Sequence, residues 1–281
     1  TASYVSGACT HPDYRSHGAM RRLLRLTHRR MYDDGILLST LIPAEKWLFG
    51  YYAKSGYTPR FGYVMERVNV EKLIPSGSYR VEEEDEASAE LYQYFDNRMR
   101  ERACCMLHSY EDFLVIMADL RLGGGKVLVA RRADRIAGMA FVVIDAVSLY
   151  IKELLADGIP GQTGFEAVKD TLLSAAATLY PGAVIEYIHP SSGDSSALGM
   201  ARLIHVEKML SILARKHPVL SLSIQIEDDD AIPENNGYYI VENGNCYREY
   251  REGREYHLYT IESLTAKSFE TEHPYMSLML N

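Results

Sequence analysis

The chain has 281 residues, of which 47% are hydrophobic and 24% charged, and its formal net charge is −8. This composition is typical of a globular protein with substantial cores, and the length predicts two or three domains. The acidic balance excludes a basic surface for nucleic acid, and the longest apolar runs are too short to cross a bilayer. No signal segment opens the chain, so we expect a cytoplasmic protein.

The first part of the sequence predicts alternating strands and helices. Apolar side chains recur at helical spacing after Gly18 and again after Pro43. In chain order we expect a strand at 3–9, a helix at about 18–34, a strand at 36–40, a helix from Pro43 to Gly56, and a pair of strands at 57–70.

The middle of the sequence repeats that order. The predicted elements are helices at 87–106 and 110–122, a hairpin at 126–131 and 135–144, a strand at 148–155, a helix at 164–180 and a strand at 183–189. Strand, helix and strand follow each other as they do in residues 3–40, which indicates a duplicated unit. The second copy is preceded by a helical pair and a hairpin, whereas the first has no counterpart. We therefore expect the chain to begin inside its first lobe.

The last part of the sequence has a third pattern. It predicts a helix at 201–216, strands at 220–227, 237–242 and 245–250, and a helix at 261–269. These elements are typical of a small α+β domain. The predicted domains are residues 1–75, 76–196 and 197–281, in an α/β chain with mixed sheets.

Residues 4–20 carry the first chemical signal. A predicted strand enters a helix through a turn that contains Gly18. Free backbone N–H groups therefore converge at the positive end of the helix, where a pyrophosphate can bind. Glycine lets a phosphate approach the backbone closely, where a side chain would collide with it.

The turn Arg15-Ser16-His17-Gly18-Ala19-Met20 resembles the R/Q-x-x-G-x-G/A loop with which GNAT acetyltransferases hold coenzyme A. Met20 departs from the pattern, which has a small residue there. The resemblance implies acetyl-CoA as cosubstrate, bound by residues 15–20. It also implies that the backbone N–H groups around Ala8, Cys9 and Thr10 hold the thioester carbonyl oxygen. A solvated position at the helix entry is the alternative for Arg15.

A second motif follows about thirty residues later. Phe49-Gly50-Tyr51-Tyr52-Ala53-Lys54-Ser55-Gly56-Tyr57 resembles the F-Y-x-x-x-G-F/Y helix ending of the same superfamily. In that superfamily the tyrosine is the usual general acid, so Tyr52 would protonate the departing thiolate of coenzyme A. The alternative is a residue of an amphipathic helix that packs its ring in the core, an interpretation that also applies to Tyr51.

Nearly the whole chain resembles the "enhanced intracellular survival" type of acetyltransferase, which has a GNAT lobe, a second degenerate GNAT-like lobe and a sterol-carrier-like C-terminal domain. The third part is indicated by residues 200–208, 233–239 and 261–265. The resemblance implies direct acetyl transfer to a primary amine of a small molecule or lysine. It also implies a homo-oligomer and a catalytic terminal carboxylate at Asn281. Because we expect the front half of the first lobe to be absent from this sequence, we also expect this chain to be inactive.

Two readings from other classes stay open. In the first, the chain is a lipid or small-ligand carrier that uses its C-terminal domain, with the other lobes as a scaffold. In the second, it mainly assembles oligomers. The turn at 157–164 has no R-x-x-G match and contains Pro160, so the second lobe is expected to bind no coenzyme. Four cysteines without a C-x-x-C pair predict reduced thiols and no metal site.

Overall fold

The computed structural model describes residues 1–145, 147–191 and 193–279. Two compact units are present. The first unit combines Thr1–Phe61 with Ala197–Thr271, and the second combines Gly62–Ser196 with the tail that begins at Glu272. The units therefore interleave along the chain, whereas the predicted division into 1–75, 76–196 and 197–281 is consecutive. Within the described residues, no helix is long and apolar enough to span a membrane.

The first unit contains a small mixed sheet and a second sheet of four strands. Its elements are β1 (Ala2–Tyr4), α1 (Ala19–Asp33), β2 (Leu38–Leu41), α2 (Lys46–Ala53), the start of β3 (Thr58–Arg67), β9 (Ser196–Leu203), α6 (Val206–Lys216), β10 (Leu222–Ile226), β11 (Gly237–Glu242), β12 (Asn245–Tyr247), β13 (His257–Tyr259) and α7 (Ile261–Ser268). Strand β2 pairs with β1 in parallel and with β9 antiparallel. The four-stranded sheet has the order β12-β11-β10-β13.

The second unit is a six-stranded sheet covered on both faces. Its elements are the end of β3, β4 (Arg80–Glu84), α3 (Ala89–Arg100), α4 (Tyr110–Leu122), β5 (Lys126–Arg132), β6 (Arg135–Asp145), β7 (Ser148–Ala156), α5 (Thr163–Leu179) and β8 (Val184–His189). The strand order is β3-β8-β7-β6-β5-β4. Alternation along β5 sends Val127 and Val129 into the core shared with α3 and α4, and Leu128 and Ala130 into the core shared with α5.

Both units contain the predicted strand–helix–strand repeat. In each copy, β1–α1–β2 or β7–α5–β8, the two strands pair in parallel. The mixed α/β fold was predicted, and so were most of its helices.

Four local predictions were wrong. Residues 57–70 form one long strand, β3, and not a pair. The helix expected from residue 201 begins at Val206, because residues 196–203 form β9 against β2. Strands β4 and β13 were not predicted; β4 is a run of charged residues, and β13 has only three residues. The first strand ends at Tyr4 and not at Cys9.

Candidate active site

The chain leaves the sheet early on its way into the candidate site. After Tyr4, the Val5 N–H still donates to the Thr40 carbonyl at 2.8 Å, and Gly7 then turns the backbone at a φ of 64°. Residues 8–10 lie beyond β1, although the strand was expected to extend to residue 9. Within the described residues, no hydrogen bond is made by the N–H groups of Ala8, Cys9 and Thr10. These amides are therefore available to a carbonyl oxygen.

Residues 15–20, which we call the open turn, fold back on the preceding segment. Arg15 Nε donates to the Thr10 carbonyl at 3.1 Å, across a short 3-10 helix at Pro12–Tyr14. Arg15 thus fixes the conformation of the turn through one nitrogen. Its two terminal nitrogens make no ion pair with any described residue.

Gly18 is the residue at which helix α1 begins, and it leaves the N–H groups at the helix N-terminus without a capping side chain. It is the N-cap residue, in the left-handed region at a φ of 75°, and no side chain caps the helix. The first turn of α1 contains no acidic residue, and a Cβ placed on Gly18 would meet nothing within 4 Å. The open turn therefore offers unpaired amides and a positive helix end to an anion.

The start of α1 and helix α2 contribute to one packed cluster. Met20 and Tyr52 both pack in it, together with Leu24, Leu41 and Tyr57. Met20, which departs from the sequence pattern, thus serves as the apolar anchor of the turn. The structure brings two of the predicted site residues together through this cluster.

Tyr52 is buried but keeps its hydroxyl unpaired. The residue is 8% exposed, and its ring lies edge-on to Tyr51 and Tyr57. Burial raises the pKa of Tyr52, and the neighbouring Tyr51 adds to this effect, so the phenol stays protonated at neutral pH. No hydrogen bond from its hydroxyl to another described residue is present. A protonated phenol without a partner can donate to a bound thiolate.

Below Tyr52 lies a buried hydrogen-bond network that the sequence analysis missed. The Tyr57 hydroxyl is 2.7 Å from Ser39 Oγ and 3.0 Å from His28 Nε2. Burial lowers the pKa of His28 to about 3 and raises that of Tyr57 to about 12, so both groups are neutral. The network joins α1 to β2 and holds the ring against which Tyr52 packs. His28 follows Leu24 by four residues on the buried face of α1, which was the available signal.

Two features require a glycine at position 56: its positive φ and the close approach of the Arg202 side chain. Its φ is 81°, and a Cβ there would collide with the guanidinium of Arg202, which donates to the Ser55 carbonyl at 2.9 Å. Arg202 is buried in an ion pair with Asp229 at 2.6 Å. The glycine of the second motif therefore makes room for a structural arginine at the end of α2.

The predicted catalytic carboxylate of Asn281 lies outside the described residues. The tail that leads to it is docked within the second unit as far as it is described. Tyr275 exchanges backbone hydrogen bonds with Cys104 and Met106, and Ser277 Oγ donates to Glu153 at 2.6 Å. These residues of the apolar tail are therefore docked on the second unit and not frayed.

The equivalent turn of the second unit, residues 157–164, is closed by the chain itself, and we call it the closed turn. The Gly161 N–H donates to the carboxylate of Glu166 at 3.0 Å. Partial burial opposes ionisation of Glu166, but hydrogen bonds from Lys169 and from Gly161 outweigh it and lower the pKa. A carboxylate thus occupies the place at the start of α5 where a phosphate would bind.

Comparison with known proteins finds one family match within the chain. Residues 1–60 match the family described as acetyltransferase (GNAT) domain. No curated protein is similar enough in sequence to match this chain.

Several solved structures share the fold. A probable N-acyltransferase from Enterococcus faecalis, described as a conserved protein of unknown function, is 15% identical with a TM-score of 0.69, over 93% of this chain and 72% of that one. A GCN5-related N-acetyltransferase from Kribbella flavida is 16% identical with a TM-score of 0.69, over 95% and 69%. Eis1 from Mycobacterium abscessus is 14% identical with a TM-score of 0.60, over 90% and 68%. The fold is GNAT-like, and the match to an acetyltransferase domain is confined to residues 1–60.

Proposed function

We propose that the chain is an acetyl-CoA-dependent N-acetyltransferase that transfers the acetyl group directly to a primary amine. The observation that carries this proposal is the open turn, whose helix end has neither a capping side chain nor an acidic residue, beside a buried Tyr52 with an unpaired hydroxyl. An uncapped positive helix end suits the pyrophosphate of coenzyme A.

In the proposed reaction the amine nitrogen attacks the thioester carbonyl carbon. Negative charge then develops on the carbonyl oxygen, and the free N–H groups of Ala8, Cys9 and Thr10 are the proposed donors to it. The C–N bond forms as the carbonyl π electrons move onto oxygen. When the carbonyl re-forms, the C–S bond breaks and Tyr52 gives its proton to the departing thiolate. The proton lost by the amine goes to a base; the terminal carboxylate of Asn281 remains our prediction for that base.

Coenzyme binding in the open turn has specific proposed contacts. The amides of Ser16, His17, Gly18, Ala19 and Met20 would receive the pyrophosphate, and the two terminal nitrogens of Arg15 would reach it from the side. Arg15 Nε is already used for the Thr10 carbonyl, so the arginine contributes both to the shape of the turn and to its charge.

We further propose that the enzyme is of the "enhanced intracellular survival" type, with a sterol-carrier-like domain at 197–281. Support comes from the four-stranded sheet β12-β11-β10-β13 with α6 and α7, which share one apolar core. A cytoplasmic location and a homo-oligomer remain predictions from the sequence.

The first experiment measures the binding of acetyl-CoA by calorimetry. In a separate titration, a fatty acid tests the alternative carrier function. We expect saturable binding of acetyl-CoA, which is weakened by about a hundredfold in Gly18→Val. Binding of the fatty acid without binding of acetyl-CoA would favour the carrier function and overturn the proposal.

The second experiment tests Tyr52 through release of the coenzyme A thiol in the presence of primary amines and a lysine peptide. Tyr52→Phe should lower kcat by roughly a hundredfold to ten-thousandfold, with acetyl-CoA affinity retained, because the phenol acts on the leaving group. Tyr51→Phe is the matched control on the next residue of α2. A Tyr52→Phe enzyme within about twofold of wild type would reduce Tyr52 to a packing residue.

A further inference from the structure

Helix α4 of the second unit carries apolar side chains on its outer side as well as on its inner side. On the inner side, Phe113, Ile116 and Met117 pack into the core that α4 shares with β5 and β6. On the outer side, four large apolar residues are 37% to 86% exposed: Tyr110, Leu114, Val115 and Leu122. A helix that is apolar all round is normally covered on all sides. The outer side of α4 therefore lacks a partner within the described residues.

The exposed apolar residues form one continuous surface. A row along the helix repeats every four residues and consists of Tyr110, Leu114, Ala118 and Leu122, all of them exposed. Val115 lies beside this row, and we call the five residues the α4 face. Apolar residues that are exposed singly are ordinary, whereas a contiguous apolar surface marks an interaction site.

The neighbouring helix shows that the fold does not require this surface. Helix α3 contributes to the same core as α4. Its exposed residues include Glu90, Gln93, Asn97 and Arg100, so its outer side is polar. Since the core needs an apolar surface only on the inner side of each helix, the α4 face has another role.

Two charged residues lie within the α4 face, one near each end of the helix. Glu111 is in the first turn and Arg121 in the last, and both are exposed. Neither makes an ion pair with another described residue. They are ten residues apart, about 15 Å along the helix axis, so they cannot pair with each other. One free charge of each sign is thus available to a partner.

The apolar row is complementary to itself when two copies of α4 pack antiparallel. A two-fold axis at the level of residue 116 sets each residue level with the one equally far from that centre on the other helix. Tyr110 then lies level with Leu122 of the second copy, and Leu114 level with Ala118. Large side chains thus meet small ones near the centre, which permits close packing.

The charges are complementary in the same arrangement. Glu111 lies level with Arg121 of the second copy, and the symmetry repeats this pair at the other end. Packed helices stand roughly 8–10 Å apart, a gap that long glutamate and arginine side chains can span. A parallel arrangement would set Glu111 beside Glu111 and Arg121 beside Arg121, which like-charge repulsion disfavours.

We propose that the α4 face binds a second copy of this chain in an antiparallel, two-fold contact. A second copy is favoured over an unrelated protein because the charges and the apolar row of the face complement themselves. The contact lies in the second unit and does not depend on the acetyltransferase activity proposed for the first. It gives a definite surface to the homo-oligomer that the sequence predicts.

The test measures the number of copies in solution by sedimentation velocity, with the full chain over a concentration series. We expect an even number of copies in wild type. Glu111→Arg and Arg121→Glu each place like charges at both ends of the contact. Each variant should fall to half the wild-type number where wild type stays assembled, because its dissociation constant rises by at least about tenfold.

Asp119→Arg is the matched control, since it reverses an exposed acid on α4 that lies outside the α4 face. This variant should assemble like wild type. A monomeric wild type would mean that another molecule covers the face, and it would overturn the proposal. Glu111→Arg and Arg121→Glu variants that keep the wild-type number of copies would overturn it as well.

Mixing the two variants guards against a folding defect. In an equimolar mixture, one copy carries arginine at both positions and the other carries glutamate at both, so opposite charges meet at both ends. We expect the mixture to regain the wild-type number of copies, with the two variants in equal amounts. A folding defect cannot be repaired by mixing. Variants that remain dissociated from each other in the mixture would contradict the antiparallel contact.

Discussion

The open turn and the closed turn are built on the same strand–helix–strand unit, yet they treat the helix end in opposite ways. At the open turn, Gly18 begins α1 with no capping side chain and no acidic residue in the first turn of the helix. At the closed turn, Glu166 of α5 accepts the Gly161 N–H itself. In these two copies, the N–H groups at the helix N-terminus are free for a ligand only where no acidic side chain of the chain accepts from them.

The largest effect is expected when the glycine of each turn is replaced by valine and the acetyl-CoA affinities of the two variants are compared. Gly18→Val should weaken acetyl-CoA binding by about a hundredfold, because two charge-assisted hydrogen bonds are worth about 3 kcal/mol. Gly161→Val is the matched control, since its φ of 83° and its open surroundings are like those of Gly18. Both variants carry similar backbone strain, so equal acetyl-CoA affinity in the two would show that the open turn is not the coenzyme site.

The second prediction concerns the helices that follow the turns. Helix α1 carries the buried His28, whereas α5 has no histidine. Since burial lowers the His28 pKa to about 3, the unfolded chain binds a proton below its ordinary pKa and the folded chain does not. Stability is thus fully present above about pH 6.5 and falls as pH drops toward 3. We expect a loss of about 2 kcal/mol between pH 7 and pH 5.

Hydrogen exchange of α1 peptides at the two pH values measures this loss. His28→Gln should be less stable at pH 7 but lose much less on acidification. His108→Gln is the control: burial also lowers the His108 pKa, but its hydrogen bond to the Ser277 carbonyl opposes the shift. An α1 stability that depends on pH equally in wild type and His28→Gln would contradict the assignment.

A third prediction separates the two roles of Arg15. Arg15→Ala should weaken acetyl-CoA binding by about tenfold, the value of one charge-assisted hydrogen bond. Arg15→Gln can still donate to the Thr10 carbonyl and should recover part of the affinity through the shape of the turn. Calorimetry at low and high salt distinguishes the contributions, because only the charge is screened. Wild-type affinity in Arg15→Ala would favour the solvated alternative for this residue.

The smallest effect is expected at the closed turn. Glu166→Gln should destabilise the second unit by about 1 kcal/mol, through weaker interactions with the start of α5 and with Lys169. It should not create coenzyme binding, because Pro160 still lacks an amide donor. If acetyl-CoA binding survived Gly18→Val and became stronger in Glu166→Gln, the coenzyme would bind in the second unit. That result would contradict our assignment of the coenzyme site to the first unit.

The sequence predicted those helices and turns that depend on local patterns of residues. Helical spacing placed α1, α4 and α5 closely, and the turn residues around Gly18 indicated an anion site before any fold was known. Long-range pairing set the rest. Strand β9 was expected as the start of a helix because its partner β2 lies far away in the sequence, and tertiary pairing overrode local preference.

The candidate site was predicted in part for the same reason. Tyr52 and the open turn belong to short sequence motifs, so the sequence could point to them, and their roles stay predictions. The neutral pair of His28 and Tyr57 is defined by burial. Burial of this kind cannot be read from a short string of residues.

The interleaving of the two units has a consequence for synthesis of the chain. Residues 62–196 leave the ribosome as one continuous segment, whereas residues 1–61 belong with 197–271. Strand β2 cannot pair Leu38 with Leu203 until most of the chain has been made. Contacts of such sequence separation slow folding and prolong exposure of unpaired edges. The segment that carries the open turn is therefore synthesised before residues 62–196 but completes its sheet only after them.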